Sequence, residues 1–178
     1  MGKRSEFKRV ERDFYPTPWK AVKPLISQLP KEFAFAEPCA GDGALVNHIE
    51  TLMEGGWCSW ASDIEPQKKG IHTKHFRDLG EHEFLEADYI ITNPPWDRKL
   101  LHPMIEYFTA FRPTWLLFDA DWIHTKQSVE YLPLLKKIVS IGRVQWIPDS
   151  KSTGKDNCCW YLFDSANSQS IQFIGRKS

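Results

Sequence analysis

The chain has 178 residues, of which 42% are hydrophobic and 13% aromatic, and its formal net charge is +0. That length suits one ordinary domain with a real core, and the apolar content excludes a disordered or fibrous class. Zero net charge argues against a protein held permanently on nucleic acid.

No apolar run reaches the roughly 18 residues of a membrane span, and no apolar signal-peptide core follows the basic start. The expectation is therefore a cytoplasmic protein with no membrane contact. Cys39, Cys58, Cys158 and Cys159 lack C-x-x-C spacing and read as reduced thiols. His72 and His75 have no cysteine near them, so a solvated pair is expected and no metal site. Basic residues gather in MGKRSEFKRVER, KKGIHTKHFR and KSTGK. The first cluster reads as a mobile arm over residues 1–13, ahead of a domain over 14–178.

Along the chain, Trp19 to Leu29 reads as a helix with Pro24 in or near its first turns. Phe33 to Ala36 reads as a short buried strand. In ALVNHIETLMEGG, residues Leu45, Val46, Ile49, Leu52 and Met53 share one helical face, and Gly55-Gly56 reads as the cap. WCSWAS and YIIT follow as strands. RKLLHPMIEYFTAF lays Leu100, Leu101, Met104, Ile105, Phe108 and Phe111 along one helical stripe. TWLLF is a strand again, and RVQWIP with CCWYLF reads as a closing antiparallel pair. Strands alternating with helices imply an α/β fold of three layers, a mostly parallel sheet wrapped on both faces. In such sheets ligands sit beyond the strand carboxyl ends, near the point where strand order reverses.

The strand ends carry the unusual residues. After the first strand comes Glu37-Pro38-Cys39-Ala40-Gly41-Asp42-Gly43, and then a helix. Two glycines at a strand-to-helix turn let a ligand approach the backbone beside a helix N-terminus. Val46 occupies the place of the third glycine of a dinucleotide fingerprint, so a plain tight turn remains an alternative. Asp63 lies about 20 residues on, where an acidic side chain takes a ribose hydroxyl in doubly wound folds. A nucleoside site follows from the pair, with Ile64 as an apolar wall, and an ion-paired surface role is the competing reading of Asp63. Further on, Ile90-Ile91-Thr92 runs into Asn93-Pro94-Pro95-Trp96. Prolines fix their own φ and donate no hydrogen bond, so the strand stops there and a rigid corner holds an amide beside an aromatic plane.

With these motifs in order, the chain resembles the S-adenosylmethionine-dependent amino-methyltransferases, and most closely the DNA adenine-N6 methyltransferases with an N-P-P-aromatic motif. Phe14-Tyr15-Pro16-Thr17-Pro18 resembles their amino-terminal cofactor motif, EPCAGDG their glycine loop, and Asp63 their ribose acid. Asp78, in FRDLG, falls where that family has an acid for the cofactor's adenine amino group, with a helix-cap role as the alternative. The resemblance implies a Rossmann-like methyltransferase fold and S-adenosylmethionine as cofactor. It assigns Tyr15, Pro16, Thr17, Glu37, Pro38, Gly41, Asp42, Gly43, Asp63, Ile64, Asp78 and Asn93 to cofactor binding.

The same resemblance makes Asn93, Pro94, Pro95 and Trp96 catalytic. An adenine amine is a poor nucleophile, because its lone pair is delocalised into the ring. The Asn93 side-chain oxygen and the Pro94 carbonyl would hold both amino hydrogens and free that lone pair, leaving positioning and electrostatics to supply the rate. Trp96 would stack on a base turned out of the helix. Family members usually carry a separate target-recognition domain, for which this chain is expected to have no room. Recognition would then fall to the basic arm, to Trp146, Ile147, Lys151 and Lys155 in the WIPDSKSTGK loop, or to a second subunit of a homodimer. DNA is the expected partner. RNA amino groups and protein glutamine are the rival acceptors, since related enzymes carry the same corner, and a non-catalytic nucleic-acid-binding module that keeps the fold is the remaining alternative. The glutamine enzymes usually have Tyr where this chain has Trp96.

Overall fold

The computed structural model describes residues 15–147, 154–166 and 168–176. The expected arm over 1–13, with Phe14 and Lys151, lies outside the described residues. Eight strands form one sheet: β1 (Phe33–Glu37), β2 (Gly56–Asp63), β3 (His72–Thr73), β4 (Tyr89–Thr92), β5 (Thr114–Asp119), β6 (Leu135–Arg143), β7 (Asn157–Phe163) and β8 (Gln172–Ile174). Their order is β3-β2-β1-β4-β5-β7-β6-β8. Neighbours run parallel except β7, which is antiparallel to both β5 and β6. The helices are α1 (Trp19–Ile26), α2 (Ala44–Leu52), α3 (Glu81–Phe84) and α4 (Arg98–Thr109).

Alternation along the strands feeds two cores. Phe33, Phe35, Ile91, Trp115 and Leu117 pack with Ala21, Val22 and Leu25 of α1 and with Leu45 and Ile49 of α2. Ala36, Ile90, Leu116 and Phe118 point the other way, against Phe84 of α3 and Leu101, Met104, Ile105 and Phe108 of α4. Successive strand residues face opposite sides of a sheet, so strands with both sides buried read as unbroken apolar runs. The result is the three-layer, Rossmann-like α/β fold with a closing antiparallel pair.

Three local expectations need correction. Helix α1 ends at Ile26, before Leu29, and Pro24 stands in its last turn. Ser27 closes it, donating its hydroxyl to Pro24 O. Helix α2 stops at Leu52, where Met53 turns to an extended φ of −134°. Gly55 and Gly56 are therefore no helix cap, and Gly56 begins β2. They are small for another reason. A Cβ on Gly55 would lie 2.3 Å from Lys31 O, and one on Gly56 2.8 Å from the Phe33 ring. Finally, RVQWIP is not the penultimate strand. Strand β6 runs through LKKIVSIGR and ends at Arg143, because its residues are the ones that pair with β7 (Ile138 with Tyr161, Val139 with Trp160).

The close approach at Gly55 is testable. Gly55→Ala should lower the unfolding free energy by about 1–3 kcal/mol, the usual cost of overpacking. Gly175→Ala, where an added Cβ meets nothing within 4 Å, should leave it almost unchanged. Urea unfolding of the two variants beside the parent checks both outcomes.

Candidate active site

The chain leaves β1 into a loop that its own backbone cannot brace. Gly41 and Gly43 have positive φ of 53° and 77°, a region that side chains with a Cβ disfavour. Asp63, at the end of β2, supplies the missing support. Its Oδ2 accepts from Gly41 N–H at 2.9 Å and its Oδ1 from Glu65 N–H at 2.8 Å. Gly41 O accepts in turn from Gln67 N–H at 2.9 Å. Asp42 Oδ1 accepts from Ala44 N–H at 3.0 Å, which satisfies a free donor in the first turn of α2.

A cavity of about 650 Å³ opens over this loop, at the carboxyl ends of β1, β2 and β4. Tyr15, Pro16 and Thr17 close one side of it. Glu37, Pro38, Gly41 and Asp42 form its floor, Asp63 and Ile64 the wall by β2, and Asn93 and Pro95 the wall by β4. Gly43 and Asp78 do not line it. Gly43 caps α2 and faces a shallow depression beside Lys68 and Ile71. Asp78 ends a short 3-10 turn (Phe76–Asp78) that carries its side chain out to solvent. His75 and Phe76, three and two residues earlier, meet the cavity in its place.

The motifs alone did not reveal His75, Phe76, Asp97, Leu100 or Met104 as cavity residues. Leu100 and Met104 sit on the apolar stripe of α4, which reads as core. The available signal was position: α4 starts directly after the Asn93 corner, so its first turns must face the strand ends. Leu100 is accordingly 40% exposed although it belongs to the stripe.

Glu37 is the odd group on the cavity floor. It is 1% exposed, and its Oε2 has no hydrogen-bond partner among the described residues. Burial holds its carboxyl well above the ordinary range, and the neighbouring Asp63 and Asp42 add to the effect. Burial likewise pushes the Cys39 thiol up, with Asp63 contributing, which disfavours its thiolate.

A second cavity, of about 210 Å³, adjoins the first. Pro94, Trp96 and Trp146 line it together with Gly154, Lys155 and Asp156. Tyr15 and Asn93 line both cavities. The Trp96 and Trp146 rings meet edge to face, with centroids 5.6 Å apart and planes at 83°. Tyr15 lies 6.5 Å from Trp146 at 56°. Gly154 N–H donates to Val144 O at 2.7 Å, which holds Gly154 beside Trp146. A Cβ on Gly154 would come within 3.1 Å of the Trp146 ring. Asn93 Nδ2 donates to Thr17 Oγ1 at 3.2 Å. Trp96 Nε1 donates to Asn93 Oδ1 at 3.4 Å and to Leu117 O at 3.1 Å. Among the described residues no cluster of His, Cys, Asp and Glu could hold a metal ion, and no helix is long and apolar enough to cross a membrane.

No protein-family model matches the chain, and no curated protein matches it in sequence. Solved structures do. A protein described as an RNA methyltransferase from Pyrococcus horikoshii matches at a TM-score of 0.63 and 17% identity, over 91% of this chain and 92% of that one. The modification subunit assigned to a type I restriction enzyme from Vibrio vulnificus YJ016 matches at 0.58 and 12%, over 93% of this chain and 47% of that one. A precorrin-6y C5,15-methyltransferase from Geobacter metallireducens GS-15 matches at 0.52 and 13%, over 82% and 87%. The likeness shows that this chain shares the Rossmann-like fold of those proteins. The chain spans about half the length of the modification subunit it matches.

The state of Glu37 sets a pH dependence. A carboxyl whose folded pKa is raised binds its proton more firmly in the native state, so stability falls as pH rises above about 4.3, the free glutamate value. Glu37→Gln removes that loss. The variant should gain stability relative to the parent between pH 4 and pH 8, read by chemical unfolding at each pH. A constant difference would mean that the buried carboxyl is not protonated in the native state.

Proposed function

We propose that the protein transfers a methyl group from S-adenosylmethionine to the exocyclic N6 amine of adenine in DNA. The observation that carries this reading is the meeting of two cavities at one amide: Asn93 belongs to both. Among the described residues, the larger holds a braced glycine loop and five carboxyl groups (Glu37, Asp42, Asp63, Glu65 and Asp97) against one lysine, Lys74. Lys74 is itself paired with Glu83 at 2.6 Å. An acidic cavity in a chain of zero net charge suits a cationic ligand. The unpartnered Glu37 Oε2, once a cation beside it favours the ionised carboxyl, would accept from a donor such as the cofactor's ammonium group. The smaller cavity, with Tyr15, Trp96 and Trp146 in its wall, suits a flat base, since aromatic stacking contributes about 1–3 kcal/mol per base.

On this reading Asp63, Gly41 and Glu37 hold the cofactor, while Ile64, Phe76 and Pro95 give its base an apolar slot. When bound, the cofactor supplies an electrophilic methyl group on sulfur. The chain's own task is to present the amine. Asn93 Oδ1 and the Pro94 carbonyl accept its two hydrogens, which keeps the nitrogen lone pair out of the ring. Trp96 and Trp146 hold the base and exclude water, and Lys155 at the cavity mouth is suited to the backbone phosphate. Neither a metal nor a covalent nucleophile has a part in this scheme. The neighbours in fold carry unlike descriptions, an RNA methyltransferase, a restriction-enzyme modification subunit and a precorrin methyltransferase, so the choice of adenine rests on the Asn93–Trp96 corner and not on the fold.

The deciding experiment is transfer of labelled methyl from S-adenosylmethionine to DNA, RNA and protein in parallel, followed by nucleoside analysis. N6-methyladenine in DNA is the expected product; label in RNA or glutamine alone would replace the proposed acceptor. Asn93→Ala should abolish transfer and leave cofactor affinity almost unchanged. Asp63→Ala, which frees the glycine loop, should weaken cofactor binding by about 1.5–3 kcal/mol, as expected for losing charge-assisted hydrogen bonds. Calorimetry separates the two effects.

A further inference from the structure

An asparagine amide can act as an acceptor only if its oxygen faces the right way. Its two ends are nearly the same size, so packing cannot choose between them and hydrogen bonds must. At Asn93 the choice is forced from one side. The Trp96 indole N–H can only donate, and it lies 3.4 Å from one end of the amide, which must therefore be Oδ1. The indole is not free to swing away, because the same N–H is anchored to Leu117 O within β5. The other end, Nδ2, then faces Thr17 Oγ1 at 3.2 Å. Thr17 is 5% exposed, so its hydroxyl is held in a packed setting.

The two partners lie on different sides. Thr17 lines the large cavity and Trp96 the small one. The amide therefore turns its oxygen toward the small cavity. Reversed, it would meet an incoming amine with N–H donors, and two donors repel. We propose that Thr17 and the indole N–H of Trp96 are positioning groups that fix the Asn93 amide with its oxygen toward the acceptor. This deepens the function proposed above and rests on it. It gives Thr17 a role other than cofactor binding, and it makes the indole at position 96 more than a stacking surface. A phenylalanine ring there would keep the aromatic face and lose the donor.

The test uses the full chain with three single variants, Thr17→Val, Thr17→Ser and Trp96→Phe, and the double variant Thr17→Val with Trp96→Phe, each checked by a thermal melt. Steady-state methyl transfer to adenine-containing DNA gives kcat and KM, and calorimetry gives the cofactor Kd. Thr17→Val and Trp96→Phe should each lower kcat roughly tenfold, with KM and cofactor Kd changed by less than about twofold. Thr17→Ser, which keeps the hydroxyl, should retain most of the parent turnover. The double variant should fall little below the worse single one, because both changes act through the same amide.

Wild-type turnover in Thr17→Val overturns the inference. So does a Thr17→Val variant whose loss lies in cofactor Kd, since Thr17 would then be a cofactor ligand. If Trp96→Phe melts early, the Thr17 pair alone decides. Failure of the parent protein to transfer methyl to any acceptor would instead overturn the proposed function itself, so the two failures are distinguishable.

Discussion

The fold hangs on a rule of handedness. Crossovers between parallel strands turn right-handed, and this chain reverses its direction across the sheet at β1 and β4. It steps from β1 outward to β2 and β3, then returns to β4 on the other side of β1 and continues to β5. Stepping one way puts α2 on one face, and stepping the other way puts α3 and α4 on the opposite face. The two cores are arranged in that manner, α2 with α1 in one and α3 with α4 in the other. The crevice between the starts of α2 and α4 is thus a consequence of topology. The glycine loop at the start of α2 and the Asn93 corner at the start of α4 face each other because both helices begin there.

What topology leaves open, local chemistry closes. A glycine loop with positive φ has no preferred shape of its own, and the Asp63 carboxylate ties it to the end of β2. The corner is stiff because Pro94 and Pro95 fix the backbone, while β4 is clamped between β1 and β5. Ile90 and Ile91 anchor it in opposite cores. Asn93 therefore sits at the end of a strand that has little freedom to shift. Trp96 extends that rigidity, as it packs against both cores and bonds to Leu117 O within β5.

Much of this was legible from residue order alone. Unbroken apolar runs such as Ile90-Ile91 mark strands buried on both sides, and the glycine loop, Asp63 and the Asn93 corner mark strand ends. What escaped was decided by partners distant in sequence. Gly55 and Gly56 look like a helix cap, yet they are small because Lys31 and Phe33 pass close by. RVQWIP has the look of a strand, but the residues that pair with β7 lie upstream of it. Asp78 was assigned by its distance along the chain, whereas a 3-10 turn carries it to solvent and brings His75 and Phe76 to the cavity. Spacing predicts which end of the sheet a residue reaches, and local turns decide which way it faces.

The charge of the large cavity bears on more than ligand choice. Burial first, and then the nearby Asp63 and Asp42 carboxylates, raise the affinity of Glu37 for its proton, and a proton held there lessens the repulsion among these acidic groups. A cationic occupant would offer a second route to the same relief and would favour the ionised form of Glu37. Under the proposed function, the methyl donor carries positive charge on sulfur before transfer and none after it. The acidic wall that draws the donor in therefore holds the spent form less strongly, at no cost in added contacts. Attraction of this kind is long in range and insensitive to small errors in placement, whereas the Asn93 amide acts only at hydrogen-bond distance. Under the proposed function the division suits the two cavities, with the large one selecting by field and the small one by geometry.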